Sequence, residues 1–146
     1  MNFFLALLST AGIGISPTLY NCKDPMKSGR YAPQKSHCPK VFYMPFSNET
    51  DFAITAEMFG QHGGDVSKLV GDITWIVQAC KSAPRGGHFT NMLVRLKIVP
   101  CCGQTIIVEK DGTVFYSRRS RKLSKKMAEK IDSYLSHVTG WDSRVK

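Results

Sequence analysis

The chain has 146 residues, a length that suits one globular domain. Hydrophobic residues make up 42% of the sequence, which is ordinary for a domain with a core, and no segment has the length and apolar character of a transmembrane helix. The charge is less ordinary. The chain has 20 Lys and Arg against 11 Asp and Glu, a net charge of +9, which favours an acidic partner such as nucleic acid, an anionic membrane surface or an acidic protein.

The N-terminal stretch, residues 1–16, contains no charged side chain. Its apolar run at residues 3–8 is too short to span a bilayer, and small residues follow it. This pattern is typical of a secretory signal peptide, and we expect cleavage near Ser16. Residues 17–146 then form a single secreted domain. A buried N-terminal helix is the alternative.

Export would place the cysteines in an oxidising compartment, where disulfide bonds are usual. The candidates are Cys22, Cys38, Cys80, Cys101 and Cys102. Because five is an odd number, one thiol is free or pairs with another chain, and the sequence leaves the pairing open. Disulfides fit these cysteines better than zinc ligation does, so we expect no metal and no other cofactor. Asn48-Glu49-Thr50 is an N-glycosylation acceptor triplet.

The first part of the domain is rich in proline and polar residues. Residues 17–40 are predicted to form an irregular arm, which Cys22 and Cys38 hold to the body. Residues 41–46 are predicted to form an edge strand, since Pro45 would interrupt a central one. Residues 47–60 fit a short helix or an alternating strand, and we favour the helix.

Residues 65–81 carry apolar side chains at helical spacing. They are Val66, Leu69, Val70, Ile73, Ile76, Val77 and Cys80. Steps of three and four place them on one face of an α-helix, and Asp65 suits the N-cap position after two glycines. The sequence therefore predicts a long amphipathic helix that packs on the strands after it.

The C-terminal half alternates between polar and apolar residues, which predicts strands at residues 91–99, 105–109 and 113–117. Asp111-Gly112 is a strong hairpin signal between the last two. A second amphipathic helix is predicted over residues 124–138, with Ser124 as its N-cap and Gly140 as its end. The predicted fold is α+β: an antiparallel three-strand meander with a fourth edge strand, packed by two helices.

A basic cluster lies between the last predicted strand and the last helix. Together with two residues of the strand at 91–99, the candidate anion-binding residues are Arg95, Lys97, Arg118, Arg119, Arg121, Lys122, Lys125 and Lys126. The N-terminus of the helix adds positive potential. Such a cluster suits phosphate groups, whereas ordinary solvated surface charge is the alternative.

Residues 124–130, Ser-Lys-Lys-Met-Ala-Glu-Lys, resemble the Ser-Lys-Lys-x-Ala-Lys start of the last helix in double-stranded RNA-binding domains. The predicted order of helix, three strands and helix over residues 65–138 is similar to that family. The resemblance implies that Lys125 and Lys126 grip phosphates across a groove of double-helical RNA.

A second resemblance concerns Tyr20-Asn21-Cys22, which follows the predicted signal peptide. It is similar to the Tyr-x-Cys start of small secreted effectors of plant-pathogenic fungi, many of which have a ribonuclease-like fold without the catalytic residues. This resemblance implies a virulence protein that acts by binding.

Ribonuclease chemistry needs a general acid and base together with a cation for the phosphate. His88 lies in a glycine-rich loop shortly before the strand that carries Arg95, so these two residues are the catalytic candidates. We expect a small secreted basic protein of effector or toxin type that binds an acidic host macromolecule, such as RNA, without catalysis. A secreted ribonuclease and a double-stranded RNA-binding-like module are the alternatives.

Overall fold

The computed structural model describes residues 39–101 and 103–141. In chain order, the elements are β1 (Lys40–Tyr43), α1 (Phe59–His62), β2 (Gly64–Asp65), α2 (Thr74–Ser82), β3 (Val94–Val99), β4 (Ile106–Glu109), β5 (Thr113–Tyr116), β6 (Arg119–Lys122) and α3 (Lys125–Thr139). The predicted signal peptide, nearly all of the predicted arm, and Cys22, Cys38 and Cys102 lie outside the described residues.

The strands form one antiparallel sheet in the order β2-β1-β3-β4-β5-β6. Strands β3 to β5 are the predicted meander, and β6 extends it by one strand that was not predicted. The β4–β5 turn forms as its Asp-Gly pair indicates. Gly112 has a φ of 82°, and Asp111 accepts a hydrogen bond from the Thr113 N–H at 2.9 Å. The α+β class is therefore confirmed.

The main core lies on one face of this sheet. Alternate strand residues such as Leu96, Val108 and Val114 share a hydrophobic cluster with Ile76 of α2 and Ile131 of α3. Each of these side chains is at most 1% exposed. Both long helices are thus anchored to the same apolar surface of the sheet.

The opposite face carries a second, smaller cluster. Phe42 and Ile107 alternate with the main-core residues of their strands and pack against Ile54 and Phe59. Farther along this face, the Phe89 ring stacks on Phe115 with 4.6 Å between centroids. Residues 54–59 and Phe89 therefore help to cover the face that the two long helices leave open.

The helix predicted over residues 65–81 is wrong in its first half, because α2 begins at Thr74. Val66 N–H donates to the Val41 carbonyl at 2.8 Å, and the Ser67 hydroxyl accepts from the Val41 N–H at 2.8 Å. These bonds to β1 replace the first helical turns. Asp65 consequently lies in β2, and Leu69 of the predicted apolar stripe is 54% exposed.

The predictions for residues 41–60 also need correction. Strand β1 has neighbours on both sides, β2 and β3, and Pro45 comes after it, so β1 is not an edge strand. Residues 47–60 are mostly not helical. Ile54 forms a bridge with Leu93 there, and only α1 at the end of the segment is helical.

The C-terminal helix is confirmed in position and in both caps. The Ser124 hydroxyl accepts a hydrogen bond from the Met127 N–H at 3.2 Å, and Gly140 ends the helix in a left-handed conformation with φ of 67°. Tyr43 of β1 ties α3 to the sheet, since its hydroxyl donates to the Asp132 carboxylate at 2.6 Å.

Cys80 was one of the five disulfide candidates, and the structure shows a free thiol that is completely buried in the main core. Burial raises the pKa of this thiol to about 12. How Cys101 and the three cysteines outside the described residues pair stays a prediction.

Candidate functional site

The centre of the predicted basic cluster forms a β-hairpin. Ser117 and Arg118 connect β5 to β6 as a two-residue turn, with φ values of 56° and 58°, and Tyr116 pairs with Arg119 on either side of it. Two successive positive φ values are typical of a type I′ turn. Arg118 and Arg119 are exposed at the end of this hairpin.

Strand β6 is the outermost strand at its side of the sheet, and α3 starts three residues after it. Lys125 and Lys126 occupy the first turn of α3 and are exposed. The helix N-terminus adds its partial positive charge to these two ammonium groups. The hairpin and the helix start therefore present cations from consecutive parts of the chain.

Two further members of the predicted cluster are engaged in internal contacts. The Arg121 guanidinium donates to the carbonyl of Ala83, the C-cap residue of α2, at 2.8 Å. Lys122 donates to the Asp111 carboxylate at 2.6 Å. Burial raises the pKa of Asp111, but hydrogen bonds from Lys122 and Thr113 outweigh it, so the pKa lies below its ordinary value.

Arg95 and Lys97 do not join this surface. The Arg95 side chain is completely buried, and it donates to the carbonyls of Val94 at 2.9 Å and Asn48 at 2.8 Å. Lys97 is half-buried and donates to the Ala56 carbonyl at 2.8 Å. Strand β3 lies three strand spacings from β6, roughly 14 Å. The structure thus separates these two cations from the others.

Two cations that the sequence analysis did not select lie beside β6. The Lys81 Nζ is 5.4 Å from the centre of the Tyr116 ring, and Tyr116 is the cross-strand neighbour of Arg119. Arg85 forms an antiparallel bridge with Arg121 and is exposed. Lys81 and Arg85 come from α2 and the loop after it, so only the tertiary fold brings them to this edge.

We call the resulting surface the basic edge. It consists of Lys81, Arg85, Arg118, Arg119, Lys125 and Lys126. Within residues 39–101 and 103–141, only Lys125 of these six has a carboxylate oxygen within 4 Å, that of Glu129 at 3.8 Å. The positive charge of this surface is therefore largely unneutralised.

The catalytic candidate His88 is exposed and lines a cleft of about 370 Å³ together with Thr90, Leu93 and Glu109. Arg95 is not among the residues that line it. The carboxylate of Glu109 already accepts hydrogen bonds from Thr90 Oγ1 at 2.6 Å and from two backbone N–H groups at 3.2 Å. The structure therefore does not assemble His88 and Arg95 into one site.

Asn48, the predicted glycosylation acceptor, is half-buried in the turn after β1. Its backbone N–H donates to the Pro45 carbonyl at 3.0 Å, and its carbonyl accepts from Arg95. Glycosylation at this residue stays a prediction.

Within the part of the chain that the structure describes, no helix has both the length and the hydropathy needed to cross a bilayer.

Comparisons with protein families, with curated proteins and with solved structures find no match to this chain.

Proposed function

We propose that this chain is a small secreted protein of effector or toxin type, which binds the phosphate backbone of host RNA through the basic edge without cleaving it. The observation that carries the proposal is the unneutralised charge at β6, where only one of six cations lies close to a carboxylate among the described residues. Surfaces of this kind bind nucleic acid through phosphate contacts and release condensed counterions.

The arrangement of the cations supports an extended anion as the partner. Arg118 and Arg119 lie at one end of the hairpin, and Lys125 and Lys126 start the helix that follows. A single small anion cannot contact both groups in the way that successive phosphates along a nucleic acid can. Arginine also binds phosphate with two parallel hydrogen bonds, which favours RNA over a diffuse acidic surface.

The experiment is a titration of labelled RNA with the purified protein at several salt concentrations. Arg119→Ala combined with Lys126→Ala should weaken binding and reduce the salt slope by about two, since each lost phosphate contact reduces it by about one. Lys68→Ala is the matched control, because Lys68 is exposed but lies beside β2 at the other side of the sheet. Equal binding by all three proteins would contradict the proposal.

The alternatives differ in their RNA requirements. A double-stranded RNA-binding-like module is supported by the succession of α2, the β3–β5 meander and α3, with Lys125 and Lys126 at the start of α3. It predicts clear preference for duplex over single-stranded RNA of equal length. A ribonuclease would turn RNA over, and His88→Ala would abolish the cleavage.

Export is part of the proposal and rests on residues 1–16. Mass spectrometry of the protein from the culture medium of a secreting host would show the cleavage site, the disulfides and any sugar on Asn48. An intact starting methionine with every thiol reduced would contradict secretion and favour an intracellular RNA-binding protein.

A further inference from the structure

The structure reduces the number of ways in which the five cysteines can pair. Cys80 is a free thiol that is completely buried in the main core, so it is the odd one of the five. The other four are Cys22, Cys38, Cys101 and Cys102, and four cysteines allow three pairings in two bonds. Cys101 is exposed and follows the end of β3 by two residues. Cys38 precedes the start of β1 by two residues and lies just outside the described residues.

The pairing of β1 with β3 relates these two positions. The two strands are antiparallel and share four residue pairs without a register shift, and the last pair is Lys40 opposite Val99. Two further steps in this register bring Cys38 directly opposite Cys101. Cys102 is one residue out of the register, where the alternation along an extended chain directs a side chain to the other face. The register therefore favours Cys101 over Cys102 as the partner of Cys38.

Two prolines lie between the paired strands and these cysteines, and both are compatible with the register. Met44 N–H donates to the Arg95 carbonyl at 2.9 Å, so this pair and every second pair after it belong to the hydrogen-bonded type. Pro39 and Pro100 face each other at one of the intervening positions, where antiparallel strands exchange no hydrogen bonds. The missing N–H of proline therefore removes no bond between the strands, and the two chains can continue side by side to residues 38 and 101.

Opposite residues of an antiparallel pair have the separation and direction that a disulfide bond needs. Their Cα atoms are about 4.5–5.5 Å apart, and disulfide bonds join residues whose Cα atoms are about 4.4–6.8 Å apart. Opposite residues also direct their Cβ atoms to the same face of the sheet. For positions 38 and 101 this is the face of Phe42 and Lys97, which are opposite each other and lie an even number of residues away.

We propose that Cys38 and Cys101 form a disulfide bond across the open end of the β1–β3 pair, which ties the predicted N-terminal arm to the sheet. The oxidant is another disulfide, such as oxidised glutathione. One protein thiolate attacks a sulfur of the oxidant and releases the first reduced thiol. The second protein thiolate attacks the resulting mixed disulfide, forms the bond and releases the second, and the two protein thiol protons pass to the released thiolates. Formation in the organism rests on the proposed export, whereas formation in an oxidising buffer does not.

The test compares two variants of the full chain, both with Cys22→Ser. The first also has Cys102→Ser and keeps Cys101, and the second has Cys101→Ser and keeps Cys102. Each is refolded and equilibrated with reduced and oxidised glutathione. The bond from Cys38 to Cys101 should persist to a value of [GSH]²/[GSSG] at least about tenfold higher than the bond from Cys38 to Cys102. Free thiols are blocked with N-ethylmaleimide, and trypsin then releases the bonded cysteines as residues 36–40 linked to residues 98–110.

Equal resistance of the two bonds to reduction would overturn the proposal, and so would a more resistant bond to Cys102. The unmodified protein gives a second measurement that needs no variant to fold. Its digest should contain residues 36–40 linked to residues 98–110, and a link of residues 36–40 to residues 1–23 alone would contradict the proposed bond.

Thermal unfolding tests the bond in a third way, in the variant that keeps only Cys38, Cys80 and Cys101. There, Cys38→Ser and Cys101→Ser should each lower the unfolding midpoint by roughly 5–15 °C. The two changes together should lower it no further, because both remove the same bond, and additive losses would contradict the pairing. None of these measurements uses RNA or export, so a failure of the disulfide is distinguished from a failure of the proposed function.

Discussion

The turn between β5 and β6 should be more stable with glycine at position 118, although that change removes a cation from the basic edge. Ser117 and Arg118 both have left-handed φ values, and neither is glycine. The usual residues of a two-residue type I′ turn are Asn-Gly. We therefore predict that Arg118→Gly raises the stability of the domain while it weakens RNA binding.

The size of the stabilisation follows from two opposing terms. The left-handed conformation costs a residue with a Cβ about 1–2 kcal/mol. Glycine loses about 0.5–1 kcal/mol more backbone entropy on folding than alanine does. The net gain is therefore about 0.5–1 kcal/mol, which corresponds to an increase of roughly 2–8 °C in the midpoint of thermal unfolding for a small domain.

The assay compares three variants by thermal unfolding and by RNA titration. Arg118→Gly should unfold at a higher temperature than Arg118→Ala, since alanine retains the Cβ penalty, and both should bind RNA more weakly than the unmodified protein. Arg118→Lys keeps the charge and should bind with intermediate affinity. If the glycine variant is no more stable than the alanine variant, the assigned turn geometry is wrong. If both variants bind RNA normally, Arg118 is not part of the interface.

Three further predictions concern buried and paired groups. Arg95→Ala should lower the free energy of unfolding in urea by about 2–4 kcal/mol, because it leaves a cavity and removes the donor to the Asn48 carbonyl. Arg95→Met should cost less. Equal losses in the two variants would contradict the burial of the Arg95 side chain. The pKa of Asp111 is lowered in the folded protein, so its stabilising contribution is fully present above its ordinary pKa of 3.8 and is lost as the pH falls through the folded value. The stability difference between the unmodified protein and Asp111→Asn should therefore shrink in acid, and a difference that is constant with pH would refute the pairing with Lys122. The Cys80 thiol should resist alkylation until the protein unfolds, since it is fully buried and its pKa is raised to about 12. Alkylation sites are mapped by mass spectrometry, and rapid labelling of Cys80 in the native protein would contradict its burial.

The elements that could be predicted from sequence are those whose signals are local. The helix α3 has its cap residues Ser124 and Gly140 next to its apolar stripe, and the β4–β5 hairpin has Asp-Gly at its turn. In contrast, residues 65–73 have a helical pattern, but residues 65–67 pair with β1, more than 20 residues earlier, and that pairing supplies hydrogen bonds which the local pattern does not reveal.

The candidate site was predicted in part for the same reason. Arg118, Arg119, Lys125 and Lys126 are close in sequence and lie on consecutive elements, whereas Lys81 of α2 reaches Tyr116, and Arg85 of the following loop reaches Arg121, only through the tertiary fold. Strand β6 itself has no apolar alternation, since its sequence is Arg-Ser-Arg-Lys.

Arg95 shows the limit of alternation as a guide to exposure. Arg95 directly precedes Leu96, so alternation along the strand predicts that its side chain points away from the core. A register shift between Val94 and Leu96 and the turn at Asn48 instead enclose it. The burial of this cation depends on a distant segment, and no local pattern reports it.

The most direct test of the proposed function is to map where RNA contacts the protein. Ultraviolet crosslinking to a labelled RNA, followed by digestion and mass spectrometry, identifies the crosslinked peptides. We expect crosslinks in the peptides that contain residues 81–85 and 116–126. Crosslinks confined to residues 49–58 and 91–93, or no crosslinking above the level seen with Arg119→Ala combined with Lys126→Ala, would contradict RNA binding at the basic edge.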